Sequence, residues 1–343
     1  MTLGQAKSAP AAKPSARLDA RVERYPIAGA FTIARGSKTE AAVLLAALHD
    51  SDAGGHVGRG EGVPYARYGE TTDGCLEALE AVRNKILAGC DRALVQTLLP
   101  PGAARNALDC ALWDLEAKRA RRRVWRLAKL APPVPVTTAF TLSLAPPEAM
   151  AAAARAAADR PILKLKIGGA DDVERVAAVR AAAPTCALIV DANEGLTFDD
   201  LRRLSPDFER LGVSLIEQPL KAGEDDELRG FSSPVPLCAD ESLHTRAELA
   251  YCAERYDCIN IKLDKTGGLT EAIALAAEAR ALGMKIMVGC MVATSLSMAP
   301  ALLLAGQADF VDLDGPLLLA RDREGGLKYK GSAVGPPPST LWG

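Results

Sequence analysis

Ile162-Leu163-Lys164-Leu165-Lys166-Ile167 is a strand-like run whose lysines alternate with aliphatic residues. Downstream, Ala187–Asp191, Val213–Glu217 and Pro236–Asp240 repeat the theme, each an apolar run closed by an acid. The acids are spaced 217 − 191 = 26 and 240 − 217 = 23 residues apart, the length of one strand plus one helix. Four further β-rich runs complete a series of eight: Val134–Leu142, Cys258–Leu263, Lys285–Gly289 and Phe310–Leu313. Between them lie Ala/Leu/Glu/Arg-rich segments of helical period at Pro147–Asp159, Asp172–Ala182, Phe198–Leu211, Arg246–Arg255 and Thr270–Leu282. Eight alternating units predict a (β/α)8 barrel over 132–320. A doubly wound sheet seldom needs so many units, and no G-x-G-x-x-G follows a strand.

Upstream of Pro132-Pro133-Val134-Pro135 the pattern differs. Strand-like runs at Val22–Ile27, Ala42–Leu48 and Gly55–Gly62 precede helical patterns at Asp73–Ala88, Arg92–Leu98 and Ala103–Arg121. Strands followed by helices predict an α+β domain at 21–131. Residues 1–20 read as a disordered tail.

The 343 residues are 49 % hydrophobic, 24 % charged and 4 % aromatic, a globular composition that excludes global disorder. Net charge is 41 − 43 = −2, so no general field attracts nucleic acid or an anionic membrane. The basic run Lys118 to Arg123 suits the solvated C-terminal end of a helix. No apolar stretch reaches the roughly 18–20 residues of a membrane span, and Met1–Arg17 lacks the apolar core of a signal peptide. Eight cysteines without a C-x-x-C pair, most inside apolar runs, read as reduced thiols of a cytoplasmic protein, with neither disulfides nor a zinc site.

In barrels of this kind the active site forms at the C-terminal ends of the strands. Asp191, Glu217 and Asp240 close three consecutive runs and so converge on one side of the mouth. Three like charges there repel one another unless a cation neutralises them, and oxygen-only ligation favours Mg2+. Lys164 and Lys166, two apart on a strand, share a face; their aliphatic neighbours take the other, which leaves both ammoniums inside the barrel. Lys262 ends the run about 180° around from theirs, so Lys166 and Lys262 approach a bound substrate from opposite faces. Asp312 and Asp314, again two apart, sit across from the acids and suit a cationic group at the far end of a substrate. Any one of these charges alone reads as easily as a helix cap or a surface ion pair. Six of eight runs ending in charge, with acids adjacent and lysines opposed, exceed what solubility requires. Serine-hydrolase and P-loop motifs are absent, the three histidines His49, His56 and His244 are scattered, and Lys265-Thr266-Gly267-Gly268 reads as a turn into the next helix.

Lys164-x-Lys166, Asp191, Glu217, Asp240 and Lys262 on successive strands resemble the muconate-lactonizing-type branch of the enolase superfamily. The Asp312-x-Asp314 pair resembles that of the dipeptide epimerases within it, those acting on Ala-Glu dipeptides. Phe31–Lys38, Ala103–Asp109 and Asn260–Leu269 are similar to further segments of that family. The resemblance implies a two-base 1,1-proton transfer. Asp191, Glu217 and Asp240 would hold one Mg2+ per subunit, which binds the substrate carboxylate. Lys166 and Lys262 would serve opposite faces of the α-carbon, and Lys164 would help hold the carboxylate. Asp312 and Asp314 would bind the dipeptide ammonium, with Thr141 and Cys290 near the substrate. The domain at 21–131 would cap the barrel, with 321–343 returning toward it, and from this cap Arg35, or Lys38 beside it, would pair with a glutamyl carboxylate. A small dipeptide as partner, a role in murein peptide metabolism and a homo-oligomeric assembly are implied in the same way. Other enolase-superfamily outcomes stay open: N-succinylamino-acid racemisation, o-succinylbenzoate synthesis or cycloisomerisation. So do a Schiff-base aldolase and a non-catalytic metal-stabilised barrel.

Overall fold

The computed structural model describes residues 16–50, 55–169 and 171–343. The described residues open with three strands, β1 (Ala16–Ile33), β2 (Gly36–Asp50) and β3 (Val57–Gly62), paired antiparallel in that order. β1 starts inside the segment expected to be a tail: Ala16 and Leu18 are buried at alternate positions and pair with Asp50 and Leu48. Alternation outweighs composition there, while residues 1–15 lie outside the described residues. Three helices follow, α1 (Thr72–Leu87), α2 (Arg92–Leu98) and α3 (Ala103–Ala120). The Thr71 and Asp91 side chains cap α1 and α2 by accepting from the N–H groups of Gly74 and Leu94. α3 lies directly on β3. A Cβ on Gly58, Gly60 or Gly62 would meet the carbonyl oxygens of Ala111, Ala107 and Ala103 at 2.3, 2.1 and 2.3 Å, so glycine at every second strand position admits the helix.

Past α4 (Val124–Leu127) comes a short strand, β4 (Val136–Thr137), and then the barrel strand β5 (Phe140–Leu142). The single run expected at Val134–Leu142 therefore divides between two sheets. The barrel continues with α5 (Pro147–Ala156), β6 (Ile162–Lys166), α6 (Asp172–Ala182), β7 (Ala187–Asp191), α7 (Phe198–Arg210), β8 (Val213–Glu217) and β9 (Leu237–Ala239). It is completed by α8 (Leu249–Ala253), β10 (Cys258–Ile261), α9 (Leu263–Thr266), α10 (Leu269–Ala281), β11 (Lys285–Gly289), α11 (Ser295–Ala305), β12 (Phe310–Asp312) and α12 (Gly315–Leu318). Strands β5 to β12 form one parallel sheet in chain order. Ala139 N–H donates to Val311 O (2.8 Å) and Leu313 N–H to Thr138 Oγ1 (2.7 Å), which draws the last strand to the first. The result is a (β/α)8-type barrel beside a separate antiparallel α+β domain. Near the end, β13 (Tyr329–Lys330) pairs with β14 (Ala333–Val334), and β14 pairs with β4. The final residues reach α3: Trp342 Nε1 donates to Cys110 O (3.0 Å) and Gly343 N–H to Asp114 Oδ1 (2.8 Å).

The period of two sorts the barrel interior into layers. Ile189, Leu215, Cys238, Cys258 and Met287 form an apolar plug. Two residues further along β7, β8 and β10, and beyond the end of β9, the same inward face carries Asp191, Glu217, Asn260 and Asp240. Charge is thus lifted onto a packed apolar floor. Cys75, Cys110, Cys186, Cys238, Cys252, Cys258 and Cys290 are free thiols, and no helix among the described residues is long and apolar enough to cross a membrane.

Candidate active site

Lys166, Asp191 and Glu217 are register partners across β6, β7 and β8, so strand pairing alone sets them side by side. Lys166 Nζ donates to Asp191 Oδ2 at 2.6 Å. Lys164 Nζ sits among three carboxylates, 2.7 Å from Glu217 Oε2, 3.0 Å from Asp191 Oδ2 and 2.7 Å from Asp312 Oδ2. From the other side Lys262 Nζ donates to Asp240 Oδ2 at 2.6 Å and lies 3.9 Å from Glu217 Oε1. Lys265 Nζ stands 2.7 Å from Asp240 Oδ1.

These charges hold one another in place. Burial favours neutral acids, yet Lys166 and Lys164 keep Asp191 well below the usual carboxylate range, and Lys262 and Lys265 do the same for Asp240. Glu217, buried and beside Asp191 and Asp240, is pushed up to about 7. Burial opposes charge on Lys164 and Lys262 too, but Asp312 and Glu217 around the first, and Asp240 and Glu217 around the second, hold both well above the ordinary lysine value.

No group of three His, Cys, Asp or Glu side chains among the described residues is arranged to hold a metal ion as it stands, because ammoniums bridge the acids. The donor set nevertheless fits a hard divalent cation. It is all oxygen, it closes three adjacent strands, and Glu217 Oε2 and Asp240 Oδ1 are buried without a well-directed hydrogen bond. Lysine contacts of 2.7 Å supply those two oxygens with charge but not with aligned donors.

Above the charged layer a cavity of about 650 Å3 opens between barrel and cap. Lys164, Lys166, Lys262, Asp240, Asp312 and Asp314 line it, with Thr141 and Cys290. Asp314 Oδ2 accepts from the Thr141 N–H at 2.7 Å, and burial together with Asp312 pushes its carboxyl up to about 7. Asp312 Oδ1 is buried with no donor, an open acceptor. Residues from the cap, including Phe31, Arg35, Lys38, Tyr65 and Tyr68, form the roof.

Arg35 and Lys38 separate here. Arg35 Nη1 donates to Asn193 O (2.6 Å) and to Glu194 Oε2 (2.8 Å), and its Nη2 to Glu241 Oε1 (2.6 Å) and the Tyr65 hydroxyl (3.1 Å). Arg67 holds the same Glu194. Lys38 has no carboxylate partner among the described residues; its Nζ lies 5.1 Å from the Tyr65 ring centroid, and burial lowers its proton affinity.

Several contributors were not singled out by sequence reasoning. Asn260 Nδ2 donates to Glu217 Oε1 at 2.8 Å, and Gln218 Oε1 accepts from the N–H groups of Asp240 and Ser242. Lys265, Asn193 and Glu241 complete the polar shell. Asn260 had a signal, being two residues before Lys262 and so on the same inward face. Gln218 had none, because its backbone turns to φ 32° just past β8.

Both halves of the chain match known families. Residues 17–128 match the N-terminal domain of mandelate racemase and muconate lactonizing enzyme, and 149–322 the enolase C-terminal domain-like family. The chain is 45 % identical over 309 residues to the L-Ala-D/L-Glu epimerase of Escherichia coli, covering 90 % of this chain and 95 % of that one. It is 47 % identical over 296 residues to an N-acetyl-D-glutamate racemase of Pseudoalteromonas, covering 83 % and 91 %. Among solved structures, an enolase family member from Agrobacterium tumefaciens with homology to dipeptide epimerases, bound to sodium and L-Ala-L-Glu, superposes with a TM-score of 0.92. It is 51 % identical and covers 96 % of this chain and 100 % of its own. A dipeptide epimerase from Enterococcus faecalis complexed with Mg and L-Leu-L-Tyr gives 0.86 at 28 % identity, covering 94 % and 97 %. With both domains matched and its named relatives being epimerases and racemases, the chain belongs to the enolase superfamily, in the isomerase class and of the mandelate racemase/muconate lactonizing enzyme type.

Proposed function

We propose that this protein is a dipeptide epimerase that inverts the α-carbon of the second residue of Ala-Glu dipeptides. The observation that carries the reading is one cavity lined by two lysines from opposite strands, Lys166 and Lys262, each paired with an acid of the carboxylate cluster, and by a second acid pair, Asp312 and Asp314, joined to that cluster through Lys164. The close relation to the Escherichia coli epimerase and to the Agrobacterium protein that binds L-Ala-L-Glu supports it.

The proton next to a carboxylate is a weak acid because its removal leaves an enediolate dianion. Asp191, Glu217 and Asp240 would hold one Mg2+ per subunit, which when bound supplies positive charge for the enediolate oxygens and lowers the proton affinity of the nearby lysines. The chain does the rest. One lysine, neutral at the start, accepts the α-proton as the C–H electron pair moves into the carboxylate. The lysine on the opposite face donates its proton to the same carbon and inverts it. Lys164 holds the carboxylate oxygens. Asp312 and Asp314 bind the dipeptide ammonium, and Thr141 and Cys290 bound the chain between. Of the two cap cations, Lys38 takes the glutamyl carboxylate, because Arg35 is already neutralised by Glu194 and Glu241. Arg35 instead latches the cap over the barrel. The reaction suits cytoplasmic recycling of murein peptides by a homo-oligomer.

The Pseudoalteromonas relative favours a second reading, racemisation of an N-acylated glutamate. Incubating the protein and Mg2+ with L-Ala-L-Glu or N-acetyl-L-glutamate and following each product by chiral chromatography separates the two. The proposal expects L-Ala-D-Glu to form and EDTA to abolish it; faster turnover of N-acetylglutamate overturns the dipeptide assignment.

A further inference from the structure

Lys262 stands at the N-terminus of α9, and the segment it opens is held chiefly by the capping domain. Asp264, two residues on and buried, accepts on Oδ1 from Asn106 Nδ2 (2.8 Å) and from the Val63 N–H (2.8 Å). Arg105 Nη2 donates to Thr266 O at 2.7 Å and its Nε to Gly267 O at 3.1 Å. Asp109 accepts from the Thr270 N–H (3.0 Å) and from Thr270 Oγ1 (2.6 Å). One face of α3 thus grips residues 264–270. Gly267 and Gly268, at φ 68° and 116°, make the approach feasible: a Cβ there would lie 2.3 Å from Arg105 Nε or 2.5 Å from Asp109 Cβ.

Among the described residues no hydrogen bond from the cap holds the turn after Lys166, whose ammonium meets the cap only at the Phe31 ring, 5.7 Å from its centroid. Beyond Lys166, the N–H groups of Gly168 and Gly169 donate to Asp172 of the barrel's own α6, and the cap approaches Gly168 through the methyl group of Ala34. The two lysines therefore differ in how they are held relative to the roof of the cavity.

We infer that Asn106, acting through Asp264, is a positioning residue for Lys262 and not for Lys166. The inference rests on the two-base reading above. Asn106 touches neither the cavity nor a reacting atom. Its amide fixes the first turn after Lys262, and so the height and angle from which that ammonium meets the α-carbon. Proton transfer is steeply sensitive to such placement. Loosening the contact slows one of the two proton transfers selectively.

The test is α-proton exchange. The full-length protein with Mg2+ is incubated in D2O separately with L-Ala-L-Glu and L-Ala-D-Glu, and initial loss of the Glu α-proton signal is followed by NMR. Lys262→Ala marks the diastereomer that Lys262 serves, since only that exchange is lost. For this diastereomer Asn106→Ala is expected to slow exchange about tenfold, while exchange of the other stays within about twofold. Equal slowing of both, or slowing of neither, overturns the inference. If Asn106→Ala fails to fold, Asn106→Ser is read in the same way. If Lys262→Ala spares both exchanges, the two-base reading falls and the inference with it, a result distinct from equal slowing in Asn106→Ala.

Discussion

Lys38 and Arg35 lie three residues apart on one hairpin, yet only geometry tells their roles apart. The sequence offers two cations at the same edge; the partners Glu194 and Glu241, distant in sequence, engage one of them. Lys38→Gln is therefore expected to raise KM for L-Ala-L-Glu at least about tenfold, the worth of one charge-assisted hydrogen bond, and to spare L-Ala-L-Ala in the same steady-state assay. Asp314 gives a pH dependence. Its carboxyl stands at about 7 instead of the usual 3.8, and the ionised form binds an ammonium. KM for the dipeptide should thus fall as pH rises through about 7 and climb again above about 8, where the α-amino group loses its proton. Asp314→Asn should flatten the lower limb of that profile. The carboxylates and inward lysines were legible because strand alternation and strand order fix both face and neighbour. Gln218, Asn193 and Glu241 were not, since they sit on loops just past strand ends, where no period operates.

Of the helix–strand pairs, α3 and β3 are joined most intimately. Placing a methyl group at Gly60, 2.1 Å from Ala107 O, forces helix and strand apart. Gly60→Ala should cost about 2–3 kcal/mol, read from the shift in the urea unfolding midpoint. Asp109 adds a pH effect of unusual sign. Burial raises its carboxyl to about 6 from 3.8, so the folded protein binds the proton more tightly than the unfolded chain. Its contribution is full below about pH 4 and is lost as pH rises through 6; the Tm of Asp109→Asn should decline less over that window than that of the unsubstituted protein. The barrel strands were legible because charge punctuates them. Other elements were harder. The segment expected as one helix at Arg246–Arg255 is a 3-10 turn, capped by Thr245 and Glu248, that leads into the short α8. α11 is buried on every side, so no polar face marks its period. The division of one apolar run into β4 and β5 depends on the distant C-terminal strands, which alternation along a single strand cannot reveal.

At the scale of the molecule, neither domain makes the site alone. The barrel supplies acids and lysines on an apolar floor, the cap supplies the roof and the Lys38 cation, and α3 ties the two together beside Lys262. Overall charge is near zero while the mouth is dense with charge of both signs, so binding depends on local pairing more than on long-range attraction. One measurement probes the whole arrangement. The protein is incubated with Mg2+ and L-Ala-L-Glu in D2O, and the Glu α-proton is followed by NMR with and without EDTA. Deuterium entering that position together with appearance of L-Ala-D-Glu, both lost in EDTA, is the predicted result. A substrate that keeps its α-proton through prolonged incubation with Mg2+ would contradict proton transfer on this dipeptide.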